Sequence, residues 1–194
     1  KHMSSDIPEL RVLLSTIGPK VAESPGLLDA QAVGNVFYGM QHMHSKHAEV
    51  RSLLAVLAAK VLASSCELDG QAMGNALFGF HCMHCDAPEV RACVRAIARK
   101  VQSSPHCMSA QELSNALLGL RNMRSRHSEV RELLLALAGK MDNHNGLMLD
   151  FTSQEIGNIF LGIQGMSSSA WEVRELISKL SLCVQRSQAS LDPL

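Results

Sequence analysis

The chain reads as an all-α protein, a right-handed α-solenoid of stacked helical hairpins with repeats of about 40 residues. Two recurring signatures and one pattern predict it. The tripeptide Glu49-Val50-Arg51 returns as Glu89-Val90-Arg91, Glu129-Val130-Arg131 and Glu172-Val173-Arg174, with a weaker copy at Glu9-Leu10-Arg11, in steps of 40, 40, 40 and 43. A second series keeps the same step: Gln31, Gln71, Gln111, Gln154; Asn35, Asn75, Asn115, Asn158; Gly39, Gly79, Gly119, Gly162; Met43, Met83, Met123, Met166. The apolar pattern has the helical period throughout, and no strand-like alternation occurs. Aromatic residues at 4% are too few for the packed sheets of a sandwich or barrel.

In chain order, residues 1–3 read as an expression scar. Residues 6–24 form a single helix left from a preceding repeat, with a break or kink expected near Gly18-Pro19. Four hairpins follow at 28–63, 68–103, 108–142 and 151–185, and 186–194 is a tail. The first helix of a unit is expected over about 30–43. Ser109 with Glu112 and Thr152 with Glu155 are capping boxes, and Asp29 and Asp69 cap the other two starts. Leu28, Leu68, Met108 and Phe151 precede the caps as hydrophobic staples. The second helix is expected over about 48–62, where Val50, Leu53, Leu54, Leu57, Ala58 and Val61 form one stripe. Asp86 with Glu89, and Pro88 in the first turn, mark its second copy. The extra residues of the last step fall in a lengthened loop at Asn143–Asp150, rich in Asn143, Asn145 and Gly146. Small residues at Gly34, Gly74, Ser114 and Gly157 beside the Gly39 series imply close approach between neighbouring helices, because glycine weakens a helix by about 1 kcal/mol against alanine.

Composition narrows the function. Apolar residues at 46% supply a core, and 18 basic residues balance 18 acidic ones. No apolar run is long enough to cross a membrane. Six cysteines at irregular spacing, without a secretory signal, are expected to be free thiols in a reducing intracellular compartment, whether organelle or cytoplasm. No phosphate loop, nucleophile elbow or HExxH motif appears, so the chain is expected to be no enzyme and to need no cofactor. His81, Cys82, His84 and Cys85 are the one metal-like cluster, flanked by Cys66 and Cys107. A zinc site wants two separated ligand pairs, and other units carry His42, Ser45, Asn122 and Ser125 at these positions, so no metal is assigned.

The Gln/Asn pairs at i, i+4 share one helix face. Gln31, Asn35, Gln71, Asn75, Gln111, Asn115, Gln154 and Asn158 are read as a structural ladder of amide hydrogen bonds that keeps the units in register. The recurring Glu sits at the positive end of its helix, and the recurring Arg is expected to bridge to a neighbouring unit. Positions that vary between units are candidates for recognition of a base or a partner: Tyr38, Gln41, His42, His44, Phe78, His81, His84, Asn122 and Gln164. The stretch 91–140 carries nine basic and three acidic residues, a balance of +6, so the rest of the chain is −6. Arg91, Arg95, Arg99, Lys100, Arg121, Arg124 and Arg126 are the candidate phosphate contacts.

The segment Leu28-Asp29-Ala30-Gln31-Ala32-Val33-Gly34-Asn35-Val36-Phe37-Tyr38-Gly39-Met40 resembles the first helix of octotricopeptide repeats and their heptatricopeptide relatives. Its copy Met108-Ser109-Ala110-Gln111-Glu112-Leu113-Ser114-Asn115-Ala116-Leu117-Leu118-Gly119-Leu120 is closer still. The resemblance covers about 28–185, although the second helix lacks the PPPEW-like motif of the octotricopeptide repeat. It implies a helical-hairpin solenoid that binds single-stranded RNA. The expected function is therefore a non-enzymatic binding module, sequence-selective for single-stranded RNA. The alternative is a scaffold for a peptide or partner domain, favoured by zero net charge, few aromatics and ten methionines. End-to-end self-association through exposed repeat ends is a further possible contact.

Overall fold

The computed structural model describes residues 3–142 and 149–186. Lys1 and His2 of the expected scar, positions 143–148 of the lengthened loop and the tail at 187–194 lie outside the described residues. The described chain is helical, without strands: α1 (Pro8–Glu23), α2 (Ala30–Gly39), α3 (Ala48–Ala63), α4 (Gly70–Phe78), α5 (Pro88–Ser103), α6 (Ala110–Gly119), α7 (Ser128–Asp142), α8 (Ser153–Ile163) and α9 (Trp171–Arg186). Like packs on like. α2, α4, α6 and α8 stack in one layer; α1, α3, α5, α7 and α9 stack in the other. The core lies between the layers as one continuous α-solenoid core, in which each unit completes its burial against its neighbours.

The first helices start where the sequence places them. Asp29 and Asp69 accept from the N–H of Ala32 and Ala72, both at 2.7 Å, and Ser109 and Thr152 form complete capping boxes. They end earlier than expected. After Gly39 the bonds become i→i+3, Met40 N–H to Phe37 O and Met43 N–H to Met40 O, each 2.8 Å. This tighter winding turns both Met40 and Met43 into the core. One other expectation needs correction. α1 runs through Pro19 without a break, since the ring removes only one donor and the helix closes by Ser24 N–H to Lys20 O. α5 begins at Pro88, where the sequence marks it, with Ala87 at the N-cap position and no side-chain cap; the Asp86 carboxylate pairs with Arg126 of the next unit.

Three side-chain rows tie each unit to the next. The Arg of each Glu-Val-Arg or Glu-Leu-Arg motif donates to two carbonyls of its own preceding turn, at 2.7–3.2 Å, in all five copies. Its Nε then faces the motif Glu of the following unit: Arg11–Glu49, Arg51–Glu89, Arg91–Glu129 and Arg131–Glu172, at 3.1–3.9 Å. In a second row, buried Ser5, Ser45, Cys85 and Ser125 accept a backbone N–H from His44, His84, Arg124 and Ser167 of the following unit, at 2.8–3.2 Å. A third row is formed by Lys60, Lys100 and Lys140, whose ammonium groups bond the Ser24, Ser64 and Ser104 carbonyls one unit back. Lys140 is only 3% exposed, and burial holds its pKa below the ordinary lysine value.

Glycine sets the spacing of the α2 layer. A Cβ on Gly79 would stand 2.0 Å from the Phe37 carbonyl oxygen, one on Gly119 2.0 Å from that of Leu77, and one on Gly162 2.1 Å from that of Leu117. A Cβ on Gly34 would stand 3.1 Å from Ala72 Cα, and one on Gly74 3.1 Å from Glu112 O, each on the following helix. Gly39, with no helix of its layer before it, meets nothing. Gly79→Ala and Gly119→Ala are therefore expected to destabilise by about 2 kcal/mol or more through overpacking. Gly39→Ala is expected to be neutral or stabilising by up to about 1 kcal/mol. Thermal unfolding of the three variants checks the contrast.

Candidate functional site

Each first helix presents one outward stripe at i, i+4, i+7: Gln31, Asn35 and Tyr38 on α2; Gln71, Asn75 and Phe78 on α4; Gln111, Asn115 and Leu118 on α6; Gln154, Asn158 and Leu161 on α8. Helix stacking sets the stripes side by side, so the layer carries two rows of carboxamides and one apolar row. The glutamines are exposed, Asn35 is exposed, and Asn75, Asn115 and Asn158 are half-buried. Gly34 and Ala72 floor a groove of about 230 Å³ between the amides of α2 and those of α4.

The amides do not form the expected ladder. Among the described residues none of the eight carboxamide side chains makes a hydrogen bond within the chain. The register is held instead by the serine, arginine and lysine rows, whose donors and acceptors are backbone groups that must be satisfied. The serine and lysine rows were present in the sequence, at Ser5, Ser45 and Ser125 and at Lys60, Lys100 and Lys140, with the same step of 40. The amides are left with free donors and free acceptors on an open surface.

The candidate recognition residues divide into two groups. Tyr38 and Phe78 stack across neighbouring units, with centroids 5.8 Å apart and planes 27° apart. Phe78 touches the His81 ring at 5.4 Å; His81 Nε2 lies 3.2 Å from an Arg121 guanidinium nitrogen, and Asn122 donates to the His81 carbonyl at 2.9 Å. Burial, then the charges of Arg121 and His42, lower the His81 pKa. Half-buried Gln41 and His42 and exposed Gln164 occupy the corresponding ends of α2 and α8. His44 and His84 belong instead to the joints, where their backbone N–H groups bond the serine row; His44 also lies 3.8 Å from Asp6.

The candidate phosphate contacts are largely engaged within the fold. Arg91 holds the Cys85 and Asp86 carbonyls, Arg95 pairs with Glu129 at 2.9 Å, Lys100 holds Ser64 and Cys66 carbonyls, Arg124 donates to Met123 O at 3.1 Å, and Arg126 pairs with Asp86. Arg99 is exposed and has no partner among the described residues. Arg121, Arg124 and Arg126 follow α6, whereas Arg95 and Arg99 run along α5 in the other layer, so the two arginine sets do not line one stripe. The helices that bear the amides, α2, α4, α6 and α8, contain no Lys or Arg; their two glutamates, Glu112 and Glu155, serve as caps.

His81, Cys82, His84 and Cys85 do not converge. The cluster among the described residues with metal-ligand proximity is Cys85, Asp86 and His127, with donor atoms within 4.8 Å of one another. Its chemistry is already occupied. Arg126, then His127, hold the Asp86 carboxyl below the usual range, while Cys85 Sγ accepts the Arg124 N–H and burial raises its thiol pKa. Asp6 has the same surroundings in the first unit: hydrogen bonds from Lys46 and His47 hold its carboxyl well below the ordinary value.

Cys85→Ser should leave the melting temperature nearly unchanged, because serine fills this position in other units, whereas Cys85→Val strands the Arg124 N–H and is expected to lose about 1–3 kcal/mol. Asp6 and Asp86 have folded pKa values below their unfolded ones, so their stabilisation is present above the unfolded value and lost as pH falls. The melting temperature should therefore drop between about pH 5 and pH 2, and Asp86→Asn should flatten part of that drop in an acid titration followed by circular dichroism. No family model, curated protein or solved structure matches the chain, so the geometry of the repeats carries the functional reading alone.

Proposed function

We propose that the chain is a non-enzymatic binding module whose α2–α4–α6–α8 face takes an extended polypeptide segment. One observation carries this reading: eight unpaired carboxamides stand in two rows on a layer whose helices hold no cation. A carboxamide offers one acceptor and two donors, so a Gln/Asn pair can match both the N–H and the C=O of a peptide unit whatever its side chain. Stacked helices repeat at about 8–10 Å, and an extended chain advances about 3.3 Å per residue, so each unit faces about three residues of the segment. The row of Tyr38, Phe78, Leu118 and Leu161 gives apolar contact beside the amides and varies between units, which suits selection among side chains. Single-stranded RNA fits this face less well. Phosphates need compensating cations, and the acidic caps Asp29, Asp69, Glu112 and Glu155 border the amides.

Selection of a displayed random peptide library on the full chain tests the proposal. Enriched peptides should bind at physiological salt with little salt dependence. The triple variant Asn35→Ala/Asn75→Ala/Asn115→Ala should weaken them about 100-fold, at about 1 kcal/mol per amide, with an unchanged melting temperature. A random RNA pool is run in parallel. Enrichment of RNA, with a steep salt slope that flattens in Arg95→Glu/Arg99→Glu, would replace the peptide reading with the nucleic-acid one.

A further inference from the structure

The face of α8 and α9 that looks away from α6 and α7 is built as an open half-joint. Phe160 is 66% exposed, yet its counterparts Phe37, Leu77 and Leu117 are 0% exposed. The same holds for Ile177, which is exposed where Leu54, Val94 and Leu134 are fully buried. With Ile163 and Val184 these residues line an apolar groove between the two helices. In the three earlier units such positions are covered by the following hairpin.

Polar and small residues at this face are also left as halves of a pair. Ser168 is exposed, while Ser5, Ser45, Cys85 and Ser125 are buried under the N–H they accept. Arg174 clamps its own turn through Ser168 and Ser169 but pairs with no glutamate among the described residues, where Arg11, Arg51, Arg91 and Arg131 each have one. Gly157 weakens the interior of α8 without a neighbour within 4 Å, although its counterparts Gly34 and Gly74 are each pressed by the next helix. A terminal unit built to end the stack would carry polar residues at these positions.

We infer that this face binds one further helical hairpin of the same repeat class. Continuity with the existing joints specifies it: the first helix brings a glycine to the Phe160 carbonyl, and the second brings a glutamate to Arg174. A second copy of the chain fits less well. Its leading element is α1, a second-layer helix; placed on α9 it leaves α8 bare, and α2 placed on α8 would drive α1 into α9.

The test appends a second copy of residues 64–103 directly after Arg186, which reproduces the spacing between successive units. The melting temperature should rise by about 5 °C or more in one cooperative transition, and backbone amides of α8 and α9 should exchange with deuterium at least about 10-fold more slowly. Gly79→Ala in the appended copy should abolish both effects. Phe160→Ser, at an exposed position of the unextended chain, should leave that chain folded but remove the gain on extension. An appended unit that leaves α8 and α9 exchange unchanged, or a gain that survives both substitutions, would overturn the inference. Dimerisation of the unextended chain in sedimentation, abolished by Phe160→Ser, would overturn it in favour of a second copy.

Discussion

The arginine of the Glu-Val-Arg motif connects the two levels of this structure, the hairpin and the stack. One terminal guanidinium nitrogen donates to two turn carbonyls, and the Nε edge of the same plane faces a carboxylate on the next hairpin. Hydrogen bonds from a charged donor to backbone are worth about 1.5–3 kcal/mol, whereas the partly exposed ion pair adds about 0–1 kcal/mol. The turn geometry is therefore the stronger term, and the ion pair follows from it. Lysine could not replace this residue, because a single ammonium lacks the fixed fork that spans both carbonyls and the glutamate.

The joints use backbone groups as their partners almost throughout. Ser45 Oγ meets an N–H, the Lys100 ammonium meets carbonyls, and Gly79 lies against a carbonyl. Such contacts ask little of the neighbouring side chains. Outward-facing positions can then vary freely, as Tyr38, Phe78, Leu118 and Leu161 do, without loss of register. Specificity and stability are separated in this fold, because they sit on different surfaces of the same helix.

Much of the fold was legible from period alone. Helix starts, caps and the apolar stripes repeat in step, and local chemistry decides each of them. The early end of the first helix was not legible, since the switch to i→i+3 bonds after Gly39 depends on where Met40 and Met43 find their core. The pairing of Asp86 with Arg126 was not legible either, because the two lie 40 residues apart. The roles of the site residues were the hardest to read. A Gln/Asn pair repeated in every unit looks structural in a sequence, yet the register contacts had been taken by Ser45, Lys100 and Arg91, and the amides were left free. Cys85 looked like part of a metal motif and proves to be a serine-row residue in which sulfur replaces oxygen.

The glycine contacts have a geometric consequence for the whole array. In the α2 layer a backbone carbonyl rests directly against the Gly79, Gly119 and Gly162 α-carbons. In the other layer side chains intervene, as where Cys93 Sγ reaches the Leu54 carbonyl at 3.1 Å. The spacing of the amide-bearing helices is therefore set by backbone contact rather than by side-chain rotamers.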